Sequence, residues 1–128
     1  MNKYTELSDF EINKAVFHKA KIKYKYFRFL PNGVITYNIK GKYKVFDPCN
    51  NPADAMPLII DNKICTAFDV FAEEHDGGNW VASPAYGFAN ERTRSNNLYR
   101  AAMELFLLMK DAENNNETSS SNDDVSIN

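Results

Sequence analysis

The architecture of this chain follows from one segment near its end, Leu98-Tyr99-Arg100-Ala101-Ala102-Met103-Glu104-Leu105-Phe106-Leu107-Leu108-Met109. Apolar residues recur there on one face at helical spacing, namely Leu98, Ala101, Ala102, Leu105, Leu108 and Met109. Phe106 and Leu107 widen this apolar stripe, which indicates a well-buried helix. Ser95, Asn96 or Asn97 can cap its first turn. We therefore predict a C-terminal helix that begins near residue 98.

A second helix is predicted over residues 9–20. Ser8 is followed three residues later by Glu11, which is a capping box and marks a helix start. The apolar residues that follow, Ile12, Ala15, Val16 and Ala20, keep helical spacing. The chain therefore begins and ends its folded part with a helix.

Between the two helices the apolar pattern changes to a period of two residues, which is typical of strands. The predicted strands are residues 21–26, 34–39, 42–46, 58–60, 64–71 and 80–85. Pro52 and Pro57 leave room for at most a single helical turn between them. We expect an α+β fold in which one antiparallel sheet of five or six strands carries both helices on one face.

The 128 residues fit a single domain, predicted over residues 1–112, followed by a tail. Residues 113–128 consist mostly of Asn, Ser, Asp and Glu and offer almost nothing to bury, so we predict a disordered acidic and polar tail. All 15 Lys and Arg residues precede this tail. The folded part is therefore more basic than the sequence pI of 5.7 suggests.

The cysteine content and the hydropathy of the sequence indicate in which cellular compartment the protein acts. Cys49 and Cys65 are too few for a disulfide framework and lie in no metal or redox motif. No apolar run approaches the roughly 20 residues needed to cross a bilayer, and the first residues lack a secretory signal. We expect a cytoplasmic protein with free thiols and no membrane partner.

A loop around Pro52 carries the first candidate site, formed by Asn50, Asn51 and Asp54. Such a loop can present amides and a carboxylate to a ligand, but the same residues are ordinary turn formers and helix caps. Arg100 lies in the first turn of the last helix, where the helix dipole disfavours a cation. A carboxylate such as Asp54, or a ligand anion, would explain its position.

The second candidate is a basic surface. Nine Lys or Arg residues and no Asp or Glu lie between Ile12 and Phe46. We define the basic surface by the residues Lys21, Lys23, Lys25, Arg28, Lys42 and Lys44. Lysines beside aromatic rings suit single-stranded nucleic acid. If the lysines face solvent, however, the alternating tyrosines face the core, and the lysines then only protect a strand edge from aggregation.

Catalytic and metal-binding patterns are weak. His75 lies beside Glu73, Glu74 and Asp76, but adjacent loop residues rarely aim their ligands at one centre, so we interpret them as a solvated hairpin tip. A cysteine paired with a histidine lacks an identifiable third group to orient it. We predict no enzymatic activity, no catalytic residues, no metal and no cofactor.

Three segments resemble the NinX-like proteins of tailed bacteriophages, namely residues 7–16, 46–60 and 98–103. The block Cys49-Asn50-Asn51-Pro52-Ala53-Asp54 is the most specific, and the resemblance spans residues 4–112 in the same order. The chain has Met56 where the family usually has Trp. The resemblance implies a phage accessory protein that acts in the cytoplasm of the bacterial host, with no established activity.

Three functional hypotheses follow. The first is a non-enzymatic accessory protein that modulates a host process, such as a defence system, by binding a host protein. The second is a binder of a small anionic ligand of nucleotide type, through Asn50, Asn51, Asp54 and Arg100. The third is a nucleic-acid binder that uses the basic surface. An exposed strand edge also leaves a homodimer open.

Overall fold

The fold is α+β and contains three α-helices and six strands within the described residues. The computed structural model describes residues 2–21, 27–85 and 91–125, without the side chains of residues 115–125. The elements in chain order are α1 (Asp9–Lys19), β1 (Arg28–Phe29), β2 (Ile35–Ile39), β3 (Lys42–Phe46), α2 (Pro52–Asp61), β4 (Ile64–Phe68), β5 (Trp80–Pro84), β6 (Thr93–Ser95) and α3 (Leu98–Val125). A short 3-10 helix, Glu74–Asp76, lies between β4 and β5.

The strands form two separate antiparallel sheets of three strands each, which corrects the prediction of one sheet of five or six strands. The first sheet has the order β1-β2-β3 and the second the order β4-β5-β6. Residues 58–60, predicted as a strand, are helical and belong to α2. Because α2 separates β3 from β4 along the chain, each sheet closes as its own meander.

Helix α2 is longer than the single turn that its prolines suggested. The side chain of Asn51 caps it by accepting a hydrogen bond from the backbone N–H of Ala53 at 3.0 Å. Pro57 inside the helix removes a backbone hydrogen bond, at a cost of about 3 kcal/mol. Ala55 and Ile59, one turn apart, are buried, and α2 contacts α3 and β4. Burial of this face offsets the proline penalty.

Helix α3 lies at the centre of the molecule. Its residues 101–107 are all buried, which requires neighbours on every side of the helix. It contacts α1, α2 and each strand of the second sheet, whereas α1 also contacts β2. The two terminal helices therefore pack on different sheets, and the prediction that both lie on one sheet face is wrong.

Helix α1 begins as predicted, since the Ser8 side chain accepts a hydrogen bond from the backbone N–H of Glu11 at 3.2 Å. The predicted strand over residues 21–26 falls almost entirely on residues 22–26, which lie outside the described residues. The α3 backbone continues as helix to Val125, and the disordered tail over residues 113–128 stays a prediction. No helix in the described ranges is both long and apolar enough to cross a membrane.

The β2–β3 hairpin sets the register of the first sheet. Lys40 and Gly41 form its two-residue turn with φ angles of 50° and 82°, as a type I′ turn requires. The side-chain oxygen of Asn38 accepts a hydrogen bond from the Gly41 N–H at 2.9 Å. This turn pairs Tyr37 with Lys44 and Asn38 with Tyr43. The turn therefore determines which side chains of β3 face outward.

We predict that Phe106→Ala lowers the free energy of unfolding by about 3–5 kcal/mol, because the ring is fully buried on α3. The matched variant Phe71→Ala removes a ring that is 87% exposed and should change stability by no more than about 0.5 kcal/mol. Urea unfolding followed by circular dichroism measures both. Equal losses would contradict the central placement of α3.

Candidate functional site

Asn50 and Arg100 meet in one polar network between α1, the loop before α2 and the start of α3. The Asn50 amide donates to the carboxylates of Asp9 at 3.1 Å and Asp47 at 3.2 Å, and its oxygen accepts from the Asn97 amide at 3.1 Å. Asn97 also caps α3 by accepting from the backbone N–H of Tyr99 at 2.9 Å. We define the polar junction by the residues Asp9, Asn13, Asp47, Asn50, Asn97, Arg100 and Glu104.

Arg100 is the most connected residue of the polar junction. Its Nε donates to Glu104 and its Nη1 to Asp9, each at 2.7 Å. Its Nη2 donates to the backbone oxygens of Tyr4 at 3.0 Å and Leu7 at 2.7 Å. The Arg100 side chain is only 11% exposed. Burial opposes its charge, but the two carboxylates outweigh burial and hold the pKa of Arg100 above its usual value.

The carboxylate expected beside Arg100 is therefore supplied by Asp9 and Glu104, and the suggestion of Asp54 is wrong. Asp54 instead accepts a hydrogen bond from the backbone N–H of Asp47 at 2.9 Å and one from the Asn51 amide at 3.3 Å. Burial raises the pKa of Asp54, although the Asp47 N–H favours the ionised form. Asn51 and Asp54 together stabilise the loop and the start of α2.

Asn13 is a buried member of the junction that sequence reasoning missed. Its amide donates to Asp47 at 2.7 Å and its oxygen accepts from the Cys49 N–H at 3.1 Å. Asn97 donates to the Cys49 carbonyl at 2.8 Å, so both backbone groups of Cys49 are satisfied by asparagines. The available signal was an Asn next to Ile12 on the apolar face of α1, where a polar residue needs a partner.

The polar junction fits a structural role because its donors already have acceptors within the protein. A depression of about 290 Å³ adjoins it and is lined by Asp9, Arg94 and Arg100 among others. Both arginines there are paired with carboxylates, Arg94 with Asp69 at 2.9 Å and Arg100 as described above. Ligand binding by Asn50, Asn51, Asp54 and Arg100 stays a prediction, and a ligand would have to displace these internal bonds.

A second polar cluster joins the N-terminal segment to the far part of α3. The Tyr4 hydroxyl donates to Asp111, which also forms ion pairs with Lys3 at 3.0 Å and Lys19 at 3.7 Å. Burial opposes ionisation of Asp111, but the hydrogen bonds from Tyr4 and Lys3 hold its pKa below the usual value. Burial and the Asp111 carboxylate raise the pKa of Tyr4. The segment before α1 is thus attached to α3 at two places.

The described members of the basic surface are exposed, but the lysines and rings of β3 are reversed relative to the expectation. Tyr43 and Val45 lie on the outer face of the first sheet and are exposed, whereas Lys42 and Lys44 share the face of buried Tyr37. Lys44 escapes burial because β3 is an edge strand. Lys21 lies in the turn that follows α1. Lys23 and Lys25 lie outside the described residues.

Sequence reasoning missed an exposed apolar cluster at the end of β4 and in the loop after it. We call Phe68, Val70 and Phe71 the apolar tip; Val70 is 68% and Phe71 87% exposed. The Asp69 carboxylate holds the tip by accepting from Arg94 at 2.9 Å and from the Phe71 N–H at 3.0 Å. The hydrogen bond from Arg94 lowers the pKa of Asp69. The tip is therefore an anchored surface loop.

The base of the apolar tip is closely packed. The backbone N–H of Asp69 donates to the Asn79 carbonyl at 2.7 Å, and the Asn79 amide donates back to the Asp69 carbonyl at 3.0 Å. A Cβ added at Gly78 would lie 2.2 Å from the carbonyl carbon of Ser95, so only glycine fits there. The rings of Phe68 and Trp80 pack edge to face, with their centroids 5.1 Å apart.

The candidates for chemistry stay apart. Among the residues that the structure describes, no three His, Cys, Asp or Glu side chains converge as a metal site. His75 lies at the tip of the β4–β5 connection, 3.6 Å from Glu73 and 3.5 Å from Asp76. Cys49 is buried, which raises its pKa, and Cys65 is exposed on β4. A protonated, buried Cys49 thiol is poorly suited to nucleophilic attack.

The fold and its sites define a small α+β protein with a polar structural junction and two exposed candidate contact surfaces. A family model described as Bacteriophage P22, NinX matches residues 3–110. The chain belongs to this phage family, which confirms the resemblance of the three segments. No curated protein and no solved structure matches the chain.

We predict that Arg100→Met destabilises the protein by about 3–5 kcal/mol, because it leaves buried Glu104 without a cation. The double variant Arg100→Met/Glu104→Gln should recover part of this loss, since the uncompensated charge is gone. Urea unfolding of both variants measures the difference. Equal destabilisation of the two variants would contradict the electrostatic role of the pair.

The pH dependence of stability provides a further test. Burial opposes ionisation of Asp9, but hydrogen bonds from Arg100 and Asn50 hold the pKa of Asp9 below its usual value. Its contribution is therefore complete above the unfolded pKa of about 3.9 and is lost as pH falls through the folded pKa. The stability difference between wild type and Asp9→Asn should shrink below about pH 4. The uncharged change Phe106→Ala is the control, and its effect should not follow this trend.

Proposed function

We propose that this protein is a non-enzymatic phage accessory protein that acts in the cytoplasm of the host and modulates a host process, such as a defence system, by binding a host protein. Membership of the phage family supports the setting. The observation that carries the proposal is the apolar tip. Its exposed side chains lie on an anchored loop, so they present apolar surface to a partner at low entropic cost.

The chemistry around the apolar tip supports a protein partner. Phe71 and Val70 are far more exposed than apolar residues of comparable size in the core. Glu73, Glu74 and Asp76, which follow the tip in the chain, are exposed and give it an acidic border. An aromatic centre with a charged border is the usual composition of a protein contact. The partner should therefore offer an apolar pocket bordered by Lys or Arg.

The polar junction supports this choice over the small-ligand alternative. Arg100 and Asn50 already donate hydrogen bonds to the carboxylates of Asp9, Asp47 and Glu104. A ligand anion at Arg100 would compete with two carboxylates that are already in place. Protein binding through the apolar tip requires no such rearrangement.

The test is recovery of the tagged full chain from phage-infected cells, followed by native mass spectrometry. We expect an added protein mass that Val70→Ala/Phe71→Ala removes, since losing a central aromatic contact typically costs about 2 kcal/mol, or roughly 30-fold in affinity. Ile60→Ala is the matched control, because Ile60 is exposed on α2 outside the tip. It should retain the partner.

Two results would contradict the proposal. A reproducible adduct of a few hundred daltons, without a protein partner, would favour the small-ligand alternative. A bare protein in infected and uninfected cells would count against tight binding of either kind.

A further inference from the structure

The free edge of the first sheet offers backbone hydrogen bonds that its own strands do not use. Among the described residues, β3 pairs with β2 on one side and with no strand on the other. The two-residue turn makes Ile39 and Lys42 a hydrogen-bonded pair, and such pairs alternate along an antiparallel hairpin. Lys42 and Lys44 therefore direct their backbone groups toward β2. The N–H and C=O groups of Tyr43 and Val45 point away from the sheet and are open to a further strand.

The side chains of this edge alternate between apolar and basic. Tyr43 and Val45 lie on the outer face and are 58% and 53% exposed. Lys42 and Lys44 lie on the opposite face, are exposed, and form no ion pair within the described part of the chain. Burial raises the pKa of Asp54, and Lys44 is the weakest of the groups that oppose this rise. Both ammonium groups can therefore pair with external carboxylates.

The edge strand is held in place at both of its ends. At one end the side-chain oxygen of Asn38 accepts a hydrogen bond from the Gly41 N–H at 2.9 Å, which fixes the turn. At the other end the buried ring of Phe46 packs against the rings of Phe17 and Tyr37, with centroid distances of 5.5 and 6.3 Å. A strand added to β3 therefore meets a backbone that is already extended, which lowers the entropic cost of binding.

The lysines decide which kind of strand the edge accepts. A second copy of β3, paired antiparallel about Tyr43 or Lys44, places Lys42 opposite Lys44 or Lys44 opposite its own copy. Like charges directly opposite one another destabilise a sheet, so the edge repels its own copy. Carboxylates at the same positions form favourable cross-strand pairs. A nucleic-acid strand does not fit, because the lysines and the Tyr43 ring lie on opposite faces of the sheet.

We propose that β3 binds an extended acidic segment of a protein by strand addition, so that the segment becomes a further antiparallel strand of the first sheet. Apolar residues of the segment lie opposite Tyr43 and Val45 and exchange backbone hydrogen bonds with them. Asp or Glu residues lie opposite Lys42 and Lys44. The segment therefore alternates between apolar and acidic residues. The proposal uses no residue of the apolar tip, so its test is independent of the host-protein contact proposed above.

Fluorescence anisotropy of the full chain with labelled synthetic peptides tests the proposal. The probe is a peptide of about eight residues in which Val and Glu alternate, since strands usually have about 3–10 residues. One comparison peptide has the same composition with Val and Glu in separate blocks, and another has Lys in place of Glu. We expect the alternating Glu peptide to bind about tenfold more tightly than either, because the cross-strand pairs require both the alternation and the negative charge. Added salt should weaken this binding.

Methylation of the peptide nitrogens tests strand addition itself. N-methylation of the Val residues removes the donors that face Tyr43 and Val45. It should weaken binding by roughly 25-fold, since each of the two lost hydrogen bonds contributes about fivefold in affinity. N-methylation of the Glu residues, whose N–H groups point away from β3, should leave the affinity close to that of the unmodified peptide. Equal effects of the two modifications would overturn the proposal.

Variants of the protein test the contribution of charge. Lys42→Glu should weaken binding of the Glu peptide about fivefold and strengthen binding of the Lys peptide, because the cross-strand pair changes sign. Lys63→Glu makes the same charge change at an exposed position outside the first sheet and should leave both affinities unchanged. Val70→Ala/Phe71→Ala should bind the Glu peptide like the wild type, since the apolar tip takes no part.

Three further results would overturn the proposal. They are absence of peptide binding at about 1 mM peptide, equally tight binding of the block peptide, and equal losses in Lys42→Glu and Lys63→Glu. None of them bears on the contact through the apolar tip, which is tested by the recovered host protein.

Discussion

The burial of Glu104 constrains the rest of the molecule. Because α3 is surrounded by α1, α2 and the second sheet, the Glu104 carboxylate in its middle is only 3% exposed. Such a charge must be paired, and Arg100 supplies the cation from one turn earlier. The remaining donors of Arg100 bind Asp9 and the backbone before α1. The Arg100 guanidinium therefore neutralises the buried Glu104 carboxylate and attaches α1 to α3.

The asparagine-rich block before α2 completes this arrangement. Asn50 and Asn97 connect the loop to α1 and α3, and Asn51 begins α2. This block therefore connects all three helices. The exposed apolar tip lies elsewhere, at the end of β4 in the second sheet. The proposed protein contact therefore uses residues outside the polar junction.

Local signals predicted what depends on local structure, including the Ser8 cap and both bounds of β3. They failed where distant contacts outweigh local preference. Pro57 argued against a helix, but burial of the Ala55 and Ile59 face outweighs it. The alternation in β3 was correct, yet the type I′ turn sets its register and turns Tyr43 outward. The partners of Arg100 were missed in part because Asp9 lies 91 residues away in sequence.

The central position of α3 has a consequence for how the protein is made. A ribosome releases the chain from its N-terminus, so α1 and both sheets emerge before the helix on which α1 and the second sheet pack. Contacts between residues so far apart in sequence form late in folding. Packing of α1 and of the second sheet is therefore completed only after α3 is released.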